Sequence, residues 1–234
     1  MSARIAVFAS GGGTNLQALL NHFNSTVDRA GRVMLVLSDR PGAAALRRAA
    51  NAGVMTHEIA ARTMTPEAVA DDMLHVLREE RIDIIALAGY LRLIPARVIE
   101  AYRDRIINVH PALLPAFGGS GMYGHHVHEA VIAAGCMLSG PTIHYVTENY
   151  DEGRIIAQWP VPVLPADTAE SLATRVLRAE HMIYPIALEA IIRRFLTAEP
   201  PQDDFTSPLR DDMVFALQPA GPADHSHIID LINY

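Results

Sequence analysis

The chain has 234 residues, 50% of them hydrophobic, a formal net charge of -7 and one cysteine, Cys136. That apolar content is enough for one sizeable core and excludes global disorder. The acidic balance argues against nucleic acid as the main partner, and the lone cysteine excludes an intramolecular disulfide and suits a reducing cytoplasm. No apolar run reaches membrane-spanning length, and the first residues turn polar too soon for a signal peptide, so no membrane association is expected.

Residues 4–9 read as a buried strand, followed directly by Ser10-Gly11-Gly12-Gly13-Thr14-Asn15-Leu16 and a helix over 14–23. Three glycines let the backbone approach a ligand closely, and the first helical turn offers unpaired N–H groups and a favourable dipole to a phosphate. Thr14 and Asn15 add side-chain donors. The run lacks the spacing of the dinucleotide fingerprint and the Lys-Ser/Thr of a nucleotide P-loop, and the acidic residue near the end of the second strand (32–37) is Asp39. The competing reading is a tight strand-to-helix turn with no ligand. A helix over 43–52 stops at Gly53, and 54–59 is a weaker strand. A helix over 66–80 carries Val69, Met73, Val76 and Leu77 on its apolar positions, and 82–87 is a strongly apolar strand. This alternation predicts an α/β fold with an open, mostly parallel twisted sheet, helices on both faces, and ligands beyond the carboxyl ends of the strands.

Residues 106–109 form a short strand that runs into His110-Pro111. Asn108 and His110 are two apart, so on extended backbone they share a face. An amide there can hydrogen-bond an oxygen that becomes an oxyanion, and an imidazole can carry a proton near neutral pH. A satisfied polar cluster at a strand end is the alternative. A Pro- and Gly-rich loop (111–124), a helix (127–134) and a strand (142–146) follow. His144 alternates with Thr142 on that strand and is expected to support the Asn108–His110 pair. The loop Asn149-Tyr150-Asp151-Glu152-Gly153 supplies a carboxylate that can orient an imidazole, or it is an ordinary acidic turn. A strand over 154–158 and a long amphipathic helix over 168–196 complete a domain of residues 1–198. The composition then shifts into a tail, 199–234, read as an appended arm. His125, His126, His128 and Glu129 sit together, but no cysteine or second cluster completes a tetrahedral set, so no metal is expected. Asp224-His225-Ser226-His227 reads as a feature of the tail.

In order, Ser-Gly-Gly-Gly-Thr-Asn-Leu, Ala88-Gly89-Tyr90-Leu91-Arg92-Leu93-Ile94, Asn108-Val109-His110-Pro111-Ala112-Leu113-Leu114-Pro115 and Tyr150-Asp151-Glu152-Gly153 resemble the glycinamide ribonucleotide formyltransferase family over about residues 3–195. The resemblance implies a Rossmann-like formyltransferase fold and transfer of a formyl group from 10-formyltetrahydrofolate to glycinamide ribonucleotide in purine synthesis, without a metal. It implies Asn108, His110 and Asp151 as the catalytic trio. Gly12, Gly13, Thr14 and Asn15 would hold the ribonucleotide phosphate, with Glu180 at its ribose or amine end. Leu91, Arg92, Leu93 and Ile94 would read the pterin ring through their backbone, and Thr147, Glu148, Asn149 and Tyr150 would close over it. The implied partners are these small molecules, with no nucleic acid, in a monomer or homodimer. Pro66-Glu67 stands where the family often has an arginine, with Arg62 slightly earlier, and Leu177 stands where some relatives have lysine, with Arg178 beside it. Formyltransferases acting on methionyl-tRNA or an amino sugar share the Asn-x-His-Pro core. Their usual Arg-Gly-Ala-Ala-Pro run is replaced here by Ala116-Phe117-Gly118-Gly119-Ser120-Gly121, and the chain is acidic. A non-catalytic nucleotide-binding module has no need of the Asn108–His110 pair.

Overall fold

The computed structural model describes residues 2–25 and 28–197. The expected tail, 199–234, with Asp224, His225 and His227, lies outside the described residues. In chain order the elements are β1 (Ala3–Phe8), α1 (Thr14–Phe23), β2 (Gly31–Ser38), α2 (Ala44–Asn51), β3 (Met55–Glu58), α3 (Pro66–Glu79), β4 (Ile84–Leu87), α4 (Ala96–Ala101), β5 (Ile106–His110), α5 (His125–Ala133), β6 (Leu138–Ser139), β7 (Thr142–Tyr145), β8 (Ile155–Gln158), β9 (Val161–Pro162) and α6 (Ala169–Thr197).

Seven strands form one sheet in the order β3-β2-β1-β4-β5-β7-β8. The pairs from β3 through β5 are parallel, while β7 runs antiparallel to both β5 and β8. The mostly parallel, Rossmann-like α/β sheet expected from the sequence is therefore present. The strand order reverses between β1 and β4, and this switch point opens the crevice in which such sheets bind ligands.

β1 shows why the central strands read as unbroken apolar runs. Ile5, Ala6, Val7 and Phe8 are all fully buried, as strands covered on both faces must be. Ala6 and Phe8 join Leu35, Leu37, Ile85 and Leu87 in a core closed by Met73 and Leu77 of α3 and Val98 of α4. Full burial of a side chain such as Met73 or Leu77 contributes about 1.5–3 kcal/mol. Thr65 caps α3 by accepting the Ala68 N–H, and Pro66 fills its first turn, where a missing N–H costs nothing. Helices α1 and α6, packed on one another, cover the opposite face.

Two boundaries moved for local reasons. The Ile82 N–H closes on the Leu77 carbonyl at the end of α3, so the strand begins at Ile84. Gly124, with φ of 56°, forms the N-cap that lets α5 begin at His125. The six-residue α4 and the two-stranded ribbon of β6 and β9 are too short for periodicity to reveal.

Helix α6 is 29 residues long, with Pro185 inside it. Beside that proline, Tyr184 is fully buried, and its hydroxyl lies 3.0 Å from both the Leu87 and the Ile107 carbonyls. The hydroxyl thereby joins the helix to the ends of β4 and β5. Among the described residues, no helix is long and apolar enough to cross a membrane.

Candidate active site

A cavity of about 620 Å³ opens beyond the carboxyl ends of β4 and β5. Its wall gathers Asn108 and His110 from β5, His144 from β7, Asp151 from the following loop, and Asn15 and Glu180 from α1 and α6. The β5–β7 register sets Asn108 directly opposite His144 and His110 opposite Thr142.

Asp151 is the hub of this cluster. It lies 3.5 Å from His110 Nδ1 through one oxygen and 3.5 Å from His144 Nε2 through the other. It also accepts the Gly119 N–H at 2.9 Å. Gly118 permits that approach, because a Cβ there would sit 3.1 Å from the Asp151 Cβ and 2.7 Å from Leu114 Cδ2. Burial pushes the Asp151 carboxyl up, but its hydrogen bond with His144, the charge of His110 and the Gly119 N–H outweigh it and hold the group below its ordinary value.

His110 is 3% exposed and pairs Nε2 with the Phe117 carbonyl at 2.8 Å, so that nitrogen carries the proton and Nδ1 faces Asp151. Burial lowers its pKa, and Asp151 and the Phe117 carbonyl only partly oppose this. Burial thus works against the charged ring, beside a carboxylate placed to stabilise that charge. His144 Nδ1 contacts the Tyr145 carbonyl at 2.9 Å, and Asn108 Nδ2 lies 3.0 Å from His144 Nε2. An amide nitrogen has two hydrogens, so Asn108 keeps one for a ligand.

The end of the cavity nearest the glycine turn is built differently. Gly13 is the N-cap of α1, with φ of 72° and no side-chain cap. A Cβ at Gly13 would meet the Ala45 Cα at 2.8 Å, so close packing of α2 requires this glycine whether or not a ligand binds. Gly12, in contrast, is exposed with open space around it. Asn15 donates to Glu180 at 2.5 Å, while its own Oδ1 is buried without a partner. Burial raises the Glu180 pKa, and the Asn15 bond opposes the rise. Asn15 and Glu180 line the cavity, whereas Gly12, Gly13 and Thr14 stand outside its wall.

At the other end, Leu91, Arg92, Leu93 and Ile94 line the cavity, as do Thr147, Asn149 and Tyr150, while Glu148 does not. The 147–150 loop is exposed and pinned by Asn149 donating to Glu152 at 2.6 Å. Of the basic residues weighed for this cavity, Arg92 lies in its wall and Arg62 and Arg178 do not.

The histidine cluster resolves into separate contacts. His125 pairs with Glu170 of α6 at 2.7 Å. Glu129 lies 3.4 Å from His126. His128 is buried in the cavity wall with Nδ1 unpartnered, and burial, reinforced by His125 and His110, lowers its pKa to about 4. Among the described residues, no group of three or more His, Cys, Asp or Glu could hold a metal ion. Sequence reading also missed Ala173 in the wall, for which the helical period of α6 was the available signal.

The formyl transferase family matches residues 3–188. The chain is 43% identical over 189 residues to the chloroplastic phosphoribosylglycinamide formyltransferase of Vigna unguiculata, covering 80% of this chain and 60% of that protein's length. Among solved structures, the phosphoribosylglycinamide formyltransferase of Brucella melitensis is 42% identical with a TM-score of 0.75, covering 82% of this chain and 96% of that one. Glycinamide ribonucleotide transformylase 1 of Geobacillus kaustophilus is 39% identical with a TM-score of 0.75, covering 82% and 100%. With its Asn108–His110–Asp151 cluster at the mouth of the same sheet, this chain belongs to the formyl transferase family, on its phosphoribosylglycinamide formyltransferase branch.

Proposed function

We propose that this chain transfers the formyl group of 10-formyltetrahydrofolate to the amine of glycinamide ribonucleotide, giving formylglycinamide ribonucleotide and tetrahydrofolate in de novo purine synthesis. One observation carries the reading: a single cavity holds an amide and an imidazole on one strand with a carboxylate across from them, a buried Asn15–Glu180 pair at one end and the 91–94 backbone at the other. The ribonucleotide phosphate is assigned to Gly12, Gly13, Thr14 and Asn15, where the uncapped first turn of α1 offers donors. Glu180 meets the ribose or amine end. The pterin ring lies along residues 91–94 under the 147–150 loop. One half-buried, unpaired cysteine, Cys136, fits a reducing compartment such as the cytoplasm.

The chemistry forms a bond from the substrate nitrogen to the formyl carbon and breaks the bond from that carbon to the folate nitrogen. The attacking nitrogen loses one proton and the leaving nitrogen gains one. Asn108 donates to the formyl oxygen as it gains negative charge. His110 accepts and returns the proton, and Asp151 stabilises the imidazolium in between. Tetrahydrofolate release should be followed in the purified protein with both substrates, with inorganic phosphate as inhibitor. Phosphate is expected to compete with the ribonucleotide and not with the formyl donor. Absence of turnover, or competition against the donor alone, would overturn the reading.

A further inference from the structure

Asp39 closes β2, at the position where dinucleotide-binding sheets hold a ribose. Here it is 5% exposed and its oxygens are engaged within the protein. Oδ1 accepts the Ser10 hydroxyl at 2.5 Å, and Oδ2 accepts Arg92 Nε at 3.1 Å. Ser10, 2% exposed, accepts the Leu91 N–H on its own Oγ at 3.0 Å and gives its backbone N–H to the Gly89 carbonyl at 3.0 Å. One carboxylate is thus tied directly to residue 92 and through one hydroxyl to residue 91, while the Ser10 main chain holds residue 89, and all three lie in the wall of the cavity just after β4.

The geometry around this segment shows what the carboxylate contributes. Gly89 takes φ of 75°, so the chain turns sharply as it leaves β4. Tyr90 packs edge-on against Phe8 with ring centroids 5.5 Å apart, but its buried hydroxyl has no partner. Apolar packing therefore seats residue 90, while polar direction for its neighbours comes from Ser10 and Asp39. Arg92 is 43% exposed at its side chain, and the Nε bond to Asp39 holds it against the wall. A buried carboxylate costs several kcal/mol unless its lone pairs are met, and breaking such a set leaves an uncompensated charge. The cluster can thus hold a main-chain conformation firmly.

We propose that Asp39 is a positioning residue for the formyl donor, fixing through Ser10 and Arg92 the backbone of residues 89–92 that the ring lies against. This rests on the function proposed above and adds to it a residue 53 positions before Arg92 that touches no reacting atom. A group acting this way changes donor binding and leaves the ribonucleotide end, built on Asn15 and Glu180, unaltered.

Three variants test it: Asp39→Ala, Asp39→Asn and Ser10→Ala. Each is titrated with tetrahydrofolate by calorimetry and assayed with both substrates. Asp39→Ala is expected to weaken tetrahydrofolate binding about ten- to a hundredfold, the loss of charge-assisted hydrogen bonds, and to raise the donor KM equally. The ribonucleotide KM should stay within about twofold, with kcat at saturation retained. Asp39→Asn keeps an acceptor for Ser10 and loses the ion pair, so its effect should be intermediate. Ser10→Ala leaves Asp39 paired with Arg92 and removes the link to Leu91, so it reports even where Asp39→Ala fails to fold. Unchanged tetrahydrofolate binding in folded Ser10→Ala and Asp39→Asn would overturn the inference, as would equal losses for both substrates. A wild-type protein that binds no tetrahydrofolate would sink the functional reading and this inference together. Binding by the wild type matched by the variants would sink the inference alone.

Discussion

The parallel strands and the antiparallel end of the sheet serve the cavity in different ways. β1 and β4 end in main chain locked by the Ser10–Gly89 and Ser10–Leu91 hydrogen bonds and by one buried carboxylate. β5, β7 and the loop after β7 instead deliver side chains, with Asn108, His110, His144 and Asp151 spaced 3.0–3.5 Å apart. The first region fixes main-chain positions through one buried carboxylate and its ion pair. The second gathers imidazoles around a carboxylate. The antiparallel pairing of β7 with β5 sets His144 directly across from Asn108, which brings the second region's side chains together.

The severest way to break the comparison is to disable the pair proposed to carry the proton. His110→Ala and Asp151→Asn are each expected to slow the chemical step by about 10²–10⁴-fold, the range of general acid–base catalysis. Their combination should cost little more than the worse single change, because the two act as one unit. Single-turnover rates check this, and a double-variant loss equal to the product of the single losses would show independent action. Asp151 raises the His110 pKa, so Asp151→Asn should also move the acid limb of the rate profile to lower pH.

A somewhat smaller effect belongs to Asn108. Asn108→Ala should lower kcat by about 10²–10³-fold with donor binding nearly intact. Near-normal turnover would remove the oxyanion role and leave Asn108 as a partner of His144 only.

The mildest test concerns stability. The pKa values of His110, His128 and His181 are all lowered from 6.5 by burial, that of His128 to about 4. The unfolded chain therefore binds more protons than the folded one between these values. Folding stability should be level above pH 6.5 and fall as pH drops toward 4. Thermal melts across that range should show the slope, and His128→Gln should flatten it. An identical slope in that variant would assign the acid sensitivity to other groups.

Much of the frame was legible because it is local. The 4–9 strand, the glycine turn and the 14–23 helix needed only an apolar run, three glycines and a helical period. The shared face of Asn108 and His110 followed from a spacing of two. What escaped was set by distant parts of the chain. Gly13 is required by Ala45, a residue of the next helix, and Asp39 has its partners at residues 10 and 92. The place of His128 in the cavity wall depends on how α5 packs, which its neighbours in the sequence do not dictate.

The Tyr184 anchor gives α6 the mechanics of a lever. At 1.5 Å per residue, Glu180 lies about 6 Å along the helix from that fixed point and Thr197 about 20 Å on the other side. If the helix pivots there as a rod, a 1 Å sideways push at Thr197 swings Glu180 by only about 0.3 Å, in the opposite direction. Pro185, adjoining the fulcrum, removes one rung from the hydrogen-bond ladder, so bending concentrates there and takes up part of the swing. The arrangement works as a reducing gear: a sideways displacement at the far end of α6 reaches the Glu180 carboxylate diminished.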